Sequence, residues 1–296
     1  MDDGVAVGRA RKEKRVLKRI LPVILMFAFA SVLCAGDGRL LATGGATQIE
    51  GSAGGGIVPW AVLSGYATED QNGGTAFLTY VNTGDYSLWA AGGAFTFHNR
   101  VEISAAEQRL HLGTLAEELK LPGAELRQQV FGAKVKLFGD VIYTKAPQVS
   151  VGVQYKRNLD FDIPKLVGAK SSSGADFYVA ATKVFLAGAG GRHLLLNGVV
   201  RATKANQIGV LGFGDKYQFV PEASAAILLN NTVAIGGEYR VKPDKLAFSK
   251  EDNWSDFFIG YFPNKNVAFV MAVAQLGTIA TLPHQSGLYF SVQGSF

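Results

Sequence analysis

From about residue 57 to the end, apolar and polar side chains alternate in segments of about ten residues, separated by turn-forming residues. The last segment shows the pattern most simply. Leu288, Phe290, Val292, Gly294 and Phe296 fall on one face of a period-two strand, and Tyr289, Ser291, Gln293 and Ser295 fall on the other. Such a strand stands between an apolar medium and a wet one. About ten residues is also the length a tilted strand needs to cross hydrocarbon. The candidates are 57–67, 75–82, 86–98, 100–110, 129–138, 148–157, 175–186, 193–204, 217–228, 232–242, 256–262, 267–275 and 287–296.

Counting back from Phe296, the connections at 263–266, 230–231, 188–192 and Asn99 are short, whereas those at 278–286, 243–255, 205–216, 158–174 and 111–128 are long. The alternation holds over twelve strands back to Thr75, and single-chain bacterial barrels have even strand numbers. The pattern therefore predicts an all-β fold: a transmembrane antiparallel up-and-down β-barrel of about 12 strands (roughly 10–14 fit), with short periplasmic turns and long extracellular loops. Segment 57–67 is left over, as a lead-in or as a strand replacing an irregular 75–82. Within the connection 111–128, residues 114–122 have helical periodicity and predict a short surface helix.

Composition agrees with strands rather than helices. The 296 residues are 48% hydrophobic and only 18% charged, with 36 Gly and 19 Phe. Gly is well above its ordinary share. The net charge of +5 belongs to the N-terminus. Residues 1–35 hold seven bases (Arg9, Arg11, Lys12, Lys14, Arg15, Lys18, Arg19) and three acids (Asp2, Asp3, Glu13). Without them the totals of 29 and 24 fall to 22 and 21, a net of +1, so the basic balance predicts no nucleic-acid partner. A basic region, an apolar run over 20–33 and then small residues have the layout of a secretory signal peptide, expected over 1–35. An uncleaved anchor helix is the other reading of that layout. Cys34, the one cysteine, follows a bulky Leu33, which speaks against a lipoprotein, and the mature chain would then hold no thiol. Residues 36–56 read as a Gly-rich periplasmic or plug-like leader, and 57–296 as the barrel.

Strand parity assigns a lumen. A charge at mid-membrane on the lipid side costs about 2–4 kcal/mol, so charged positions should face inward. Glu102, Lys134, Lys136, Lys156, Arg201, Glu222, Glu238, Arg240 and Lys242 are the lumen candidates, joined by Gln108, Gln154, Asn197, Thr203, Gln218, Ser224, Tyr289 and Gln293. Six bases against three acids give a basic-leaning wall. It reads either as a structural network of paired charges or as an anion-leaning channel. Trp60, Tyr66, Trp89, Tyr155, Tyr239, Trp254, Tyr261 and Phe296 lie near strand ends and suit interfacial girdles. A path for an apolar ligand is the alternative, and the crowding of Phe257, Phe258, Tyr261 and Phe262 on both faces of one strand favours it. Enzyme chemistry is poorly represented. His98, His111, His193 and His284 show no metal-ligand spacing, no Gly-x-Ser-x-Gly occurs, and His284 with Ser286 is the one faint pairing. No catalytic residue, metal or cofactor is expected.

Two resemblances add to this reading. An alternating last strand that carries Tyr289, Phe290 and Val292 and ends on Phe296 resembles the signal by which bacterial outer-membrane barrels are recognised for assembly. The segments Gly56-Ile-Val-Pro-Trp60, Val151-Gly-Val-Gln-Tyr-Lys-Arg-Asn158, 196–206, 236–244, Tyr261-Phe-Pro-Asn-Lys-Asn266 and 285–296 resemble a proteobacterial domain-of-unknown-function family of outer-membrane proteins. The resemblance covers nearly all of the mature chain. It implies a barrel, an outer-membrane address, contact with outer-membrane lipid and lipopolysaccharide, and passage through the barrel assembly machinery. It supplies no site residues. More distantly, the chain is similar to barrels for uptake of hydrophobic or aromatic compounds. The expected function is a channel or transporter for small solutes, against a closed structural barrel or a lipid-modifying barrel enzyme.

Overall fold

A computed structural model describes residues 38–246 and 250–296. The expected signal peptide lies outside them. Two short strands, β1 (Ala46–Thr47) and β2 (Ala53–Gly54), pair with each other and precede twelve long strands. These are β3 (Asn72–Asn82), β4 (Ser87–Phe97), β5 (Val101–His111), β6 (Glu125–Phe138), β7 (Gln148–Asn158) and β8 (Ser173–Ala189). They continue with β9 (Arg192–Ala205), β10 (Phe213–Leu228), β11 (Val233–Arg240), β12 (Trp254–Tyr261), β13 (Val267–Ile279) and β14 (Leu282–Ser295). Each pairs antiparallel with its chain neighbour, and β14 returns to β3, so the sheet is a closed up-and-down barrel. All twelve alternating segments from 75 onward coincide with these strands. Two short helices, α1 (Gly113–Glu118) and α2 (Asp162–Leu166), sit in the connections after β5 and β7.

The alternation divides the two faces. Ile103, Phe131, Phe177, Val200, Phe257, Ile259, Met271 and Leu288 are exposed on the outside, whereas Glu102, Gln108, Lys134, Lys156, Arg201 and Glu238 are buried inside. An apolar belt around a closed sheet is what hydrocarbon requires, because no backbone edge is left unpaired. Tyr80 and Trp89 meet on the outer face with ring centroids 4.5 Å apart and planes tilted by 38°, as a girdle pair does.

Gly38, where the described residues begin, and the C-terminal Phe296 lie at one rim, with the turns 98–100, 139–147, 190–191, 229–232 and 262–266; we call this the terminal end. The loop end carries 83–86, 112–124, 159–172, 206–212, 241–253 and 280–281. Three expectations change. Segment 57–67 is no barrel strand: it is buried inside the lumen, and the barrel wall begins at Asn72 instead of Ile57. The long loop expected at 278–286 is mostly strand, because β13 and β14 run past the belt to a tight turn at Ala280. Gln218, expected inward, shares the face of Thr203 and Val220 but is exposed towards the loop end, where the β9–β10 register becomes irregular.

The β14–β3 seam pairs Leu288 with Asn82 through to Ser295 with Thr75. Gly74 and Phe296 then exchange backbone hydrogen bonds of 2.7 and 3.0 Å. A Cβ on Gly74 would lie 2.8 Å from the Phe296 ring and from the Ala94 carbonyl oxygen, so only glycine admits the ring at the seam. We expect Gly74→Val to lower barrel stability by about 1–3 kcal/mol, the usual range for overpacking. The check is the urea midpoint of refolded protein. Adding Phe296→Ala should recover part of the loss; a strictly additive double variant would show that the ring is not what the new side chain strikes.

Candidate functional site

The lumen is filled by the chain's own leader. From the terminal end, residues 38–50 climb into the barrel, turn at Gly51, whose φ is 96°, and descend through 53–67 to the start of β3. Residues 43–66 are buried throughout. This backbone is mostly irregular, so its polar groups need partners from the wall. Lys134 Nζ donates to the carbonyls of Ala53, Trp60 and Val62 at 2.7–3.2 Å. Glu102 accepts from Ser64 N at 2.8 Å and pairs with Lys134 at 3.2 Å. Glu238 accepts from the amides of Gly56 and Ile57 at 2.7 Å and from Ser224 Oγ at 2.8 Å. A Cβ on Gly55 would sit 2.0 Å from Glu238 Oε1, so glycine is what lets the leader approach that carboxylate. Trp60 and Tyr66, read as girdle residues, are inside the plug, and Trp60 Nε1 donates to Ser224 Oγ at 3.0 Å.

The tip of the plug carries Glu50, which is fully buried among cations of three strands. Arg240 of β11 holds it at 2.8 Å, Lys156 of β7 donates to it, and Arg201 of β9 lies at 3.9 Å. Asp176 and Glu222 complete the cluster: Lys156 meets Asp176 at 2.6 Å, and Arg201 meets Glu222 at 2.5 Å and Asp176 at 3.4 Å. Three acids thus balance three bases in a site closed to water. The basic excess read from the strands disappears once Glu50, Asp176, Asp256 and Glu251 are included. Asp176 was legible, since it shares the inward parity of Tyr178 and Thr182. Glu50 was not, because it stands in a Gly-rich leader with no period. Of the other candidates, Lys136 is buried towards the terminal end, and Lys242 lies beyond β11 in the connection 241–253.

At the loop end, residues 206–212 fold inward as a lid. Gln207 and Ile208 have φ of 43° and 58°, a strained backbone for any side chain and most for a β-branched one. Wall groups hold the lid there. Lys156 Nζ donates to the Ile208 carbonyl at 3.2 Å, and Asn158 Nδ2 to that of Val210 at 2.6 Å. Gln207 N donates to both Glu251 oxygens at 3.0 Å, and Lys242 Nζ to Gln207 Oε1 at 2.7 Å. Lys242 and Glu251 are themselves 3.7 Å apart. Both belong to the connection outside the strands. Burial pushes the Glu251 carboxyl up to about 7, with Lys242 pulling it down. Burial lowers the Lys242 ammonium to about 8, against the attraction of Glu251. Arg240, Asp244, Asp252 and Lys245 also face the pair. Lys156 therefore touches lid and plug at once.

Between lid and plug tip lies an apolar chamber of about 50 Å³. Ile49 and Ile57 of the plug form its floor, and Ile208 and Val210 of the lid cover it. Its walls include Leu88, Leu110, Trp254, Leu276 and Tyr289. Trp254, read as a girdle residue, is buried here, because the far end of β12 reaches above the belt and its even positions face inward. The lumen is two-sided: β5–β11 carry most of the charges, whereas the remaining wall mixes apolar Phe77, Ala90, Phe258, Val270, Ala272 and Ala274 with uncharged Thr75, Thr79, Ser291 and Gln293, and adds Asp256. Among the described residues no group of three or more His, Cys, Asp or Glu side chains could hold a metal ion, and His284 and Ser286 both lie exposed on β14.

No curated protein sequence matches the chain. Among solved structures it is similar to the outer membrane protein Omp33 of Acinetobacter baumannii (11% identity, TM-score 0.45, 77% of this chain and 99% of that one). It is also similar to the NanC porin (8%, 0.48, 75% and 98%) and to the COG4313 outer membrane channel of Pseudomonas putida F1 (10%, 0.42, 76% and 95%). The names of these barrels are theirs and are not carried over. A family described as Protein of unknown function (DUF3034) matches residues 43–293, and the chain belongs to that family.

Proposed function

We propose that this chain is an outer-membrane conduit for small solutes, held shut by its own leader. The observation that carries the reading is the Glu50 cluster. One side chain of the leader joins bases from three separate strands, so a single buried carboxylate ties the tip of the plug to the wall. A barrel that only needed filling would be at least as stable with apolar side chains of similar volume, whereas losing one partner of a buried ion pair costs roughly 3–5 kcal/mol. An arrangement that is firm when complete and weak when broken suits a plug that leaves. In this reading the loop end faces the outside, lipid and lipopolysaccharide surround the belt, and the Phe296 strand is what the assembly machinery recognises.

In planar bilayers we expect the wild-type barrel to be mostly closed and Glu50→Gln to conduct. Silence in Glu50→Gln, and again after residues 38–67 are cut free at a protease site placed in the exposed Glu69–Asp70 turn, would favour the closed structural barrel. Without Glu50 the cluster keeps Lys156, Arg201 and Arg240 against Asp176 and Glu222. The open state should therefore prefer anions, and a cation-selective reversal potential in a salt gradient would contradict this use of the charges.

The lid predicts a pH response. Lowered, it holds Glu251 at about 7; raised into water, the carboxyl returns towards 4.5. The lowered state therefore takes up a proton that the raised state does not, and that stabilisation is complete below about 4.5 and lost as pH rises through about 7. Glu50→Gln pores should close more at pH 5.5 than at 7.5, and adding Glu251→Gln should flatten the difference. Equal closure with and without Glu251 would place the titration elsewhere. For assembly, deletion of Phe296 should leave a periplasmic, protease-sensitive chain; a normal heat-modifiable barrel in that variant would dismiss the terminal signal.

A further inference from the structure

The chamber under the lid is almost wholly apolar, and one of its wall residues carries a donor that the fold does not use. Trp254 is only 6% exposed, and its Nε1–H has no hydrogen-bond partner. Its ring face is covered by Lys242 Nζ at 4.8 Å, which fixes the indole without satisfying its edge. Tyr289 lends the chamber its ring, while its hydroxyl lies against the Thr79 and Ser291 hydroxyls. An unpaired buried donor costs about 1–3 kcal/mol, and buried polar groups are seldom left so. Trp60 gives the contrast in the same molecule: its Nε1–H is bonded to Ser224 Oγ.

We propose that this chamber is a binding site for a small uncharged solute, mainly apolar and carrying one hydrogen-bond acceptor that meets Trp254 Nε1. The assignment rests on the conduit reading and names the class of solute it would carry. An apolar body suits walls made by Leu88, Leu110, Leu276 and Tyr289, and a single acceptor satisfies the indole. A charged solute is disfavoured because the chamber has no free counter-charge: Lys242 is taken up by Glu251 and Gln207.

Size makes the lid part of the site. A cavity that binds benzene measures about 150 Å³, whereas this one holds about 50 Å³ with the lid down. A ring-sized solute must lift Ile208 and Val210, and the strained φ of Gln207 and Ile208 makes the lid the segment that yields. The same occupant presses on Ile49 and Ile57, which flank the plug tip. Lys156 bonds both the Ile208 carbonyl and Glu50, so a solute that separates lid from plug pulls on both of its contacts. Occupancy thereby favours release of the leader from the wall.

The test is a titration followed on the three tryptophan indoles. Full-length mature protein in lipid nanodiscs, labelled with ¹⁵N-tryptophan, is titrated with cyclohexanone and separately with methylcyclohexane, a ring of similar shape without an acceptor. Trp254→Phe assigns the signal. We expect a saturable downfield shift of the Trp254 indole proton with cyclohexanone only. Trp60 should stay still, and the outward Trp89 should change at most linearly as the ring enters lipid. Ala274→Leu, which fills the chamber from β13, should remove the saturable shift while the other two signals keep their positions. Equal linear shifts at all three indoles would reduce the effect to lipid partitioning and overturn the site. A saturable Trp254 shift that survives Ala274→Leu would place the ligand elsewhere, and one given equally by methylcyclohexane would remove the acceptor and the role of the indole edge. The titration needs no conducting state. Saturable binding in a barrel that stays silent after plug removal would keep the site and refute the conduit, whereas conduction without binding would do the reverse.

Discussion

Everything in this molecule depends on backbone hydrogen bonds that cannot be made to water. In hydrocarbon the twelve strands must satisfy one another, which forces β14 back onto β3 and leaves no edge. Closure then creates a second problem. A barrel of this girth encloses more volume than inward side chains of ordinary size fill. Here the chain solves it with its own leader, whose irregular backbone brings polar groups into the same closed space. The wall must therefore supply partners, and Lys134, Glu102, Glu238 and Gln148 do so by bonding plug carbonyls and amides. The inward charges are better understood as ligands of a foreign backbone than as the lining of an empty pore.

That requirement explains how far the sequence could be read. Alternation is strongly constrained where one face meets lipid, because a slip of one residue would place Lys134 or Arg240 in hydrocarbon. Twelve strands and their faces were legible for this reason. The plug obeys no such rule. Its residues are held by contacts from distant strands, some of them more than a hundred positions away, as Gly56 and Ile57 are by Glu238. Segment 57–67 looks like a strand because buried apolar residues such as Ile57, Val62 and Leu63 look alike in a core and in a sheet. Parity placed Lys156, Arg201 and Arg240 inside, yet it could not place Glu50 among them. The lumen then appeared basic when it is balanced.

Height along the barrel was the other missing coordinate. Parity tells inside from outside and says nothing about how far a strand runs beyond the belt. Tyr289 was therefore read for its side and Trp254 for its place near a strand end, while their meeting with Leu276 and Ile208 depended on how connection 206–212 folds. The run of positive φ over Gln207, Ile208 and Gly209 is marked in residue type only by its last member, since neither Gln nor Ile favours that conformation.

The arrangement of charge along the lumen axis gives these parts an order. The Glu50 cluster lies deep, is neutral in sum, and is sealed beneath an apolar chamber. The Glu251–Lys242 pair lies above it, where burial has brought both groups close to neutral pH. The inner cluster sets each charge between opposite charges of wall and plug, and it breaks when a partner is physically removed. A pair at the rim exchanges protons with the medium. In the proposed conduit the outer closure would answer to solution conditions and the inner one to displacement, and among the described residues Lys156 is the side chain that bonds to both lid and plug. On that proposal, a single ammonium group shared by the two closures lets a disturbance of the lid weaken the plug.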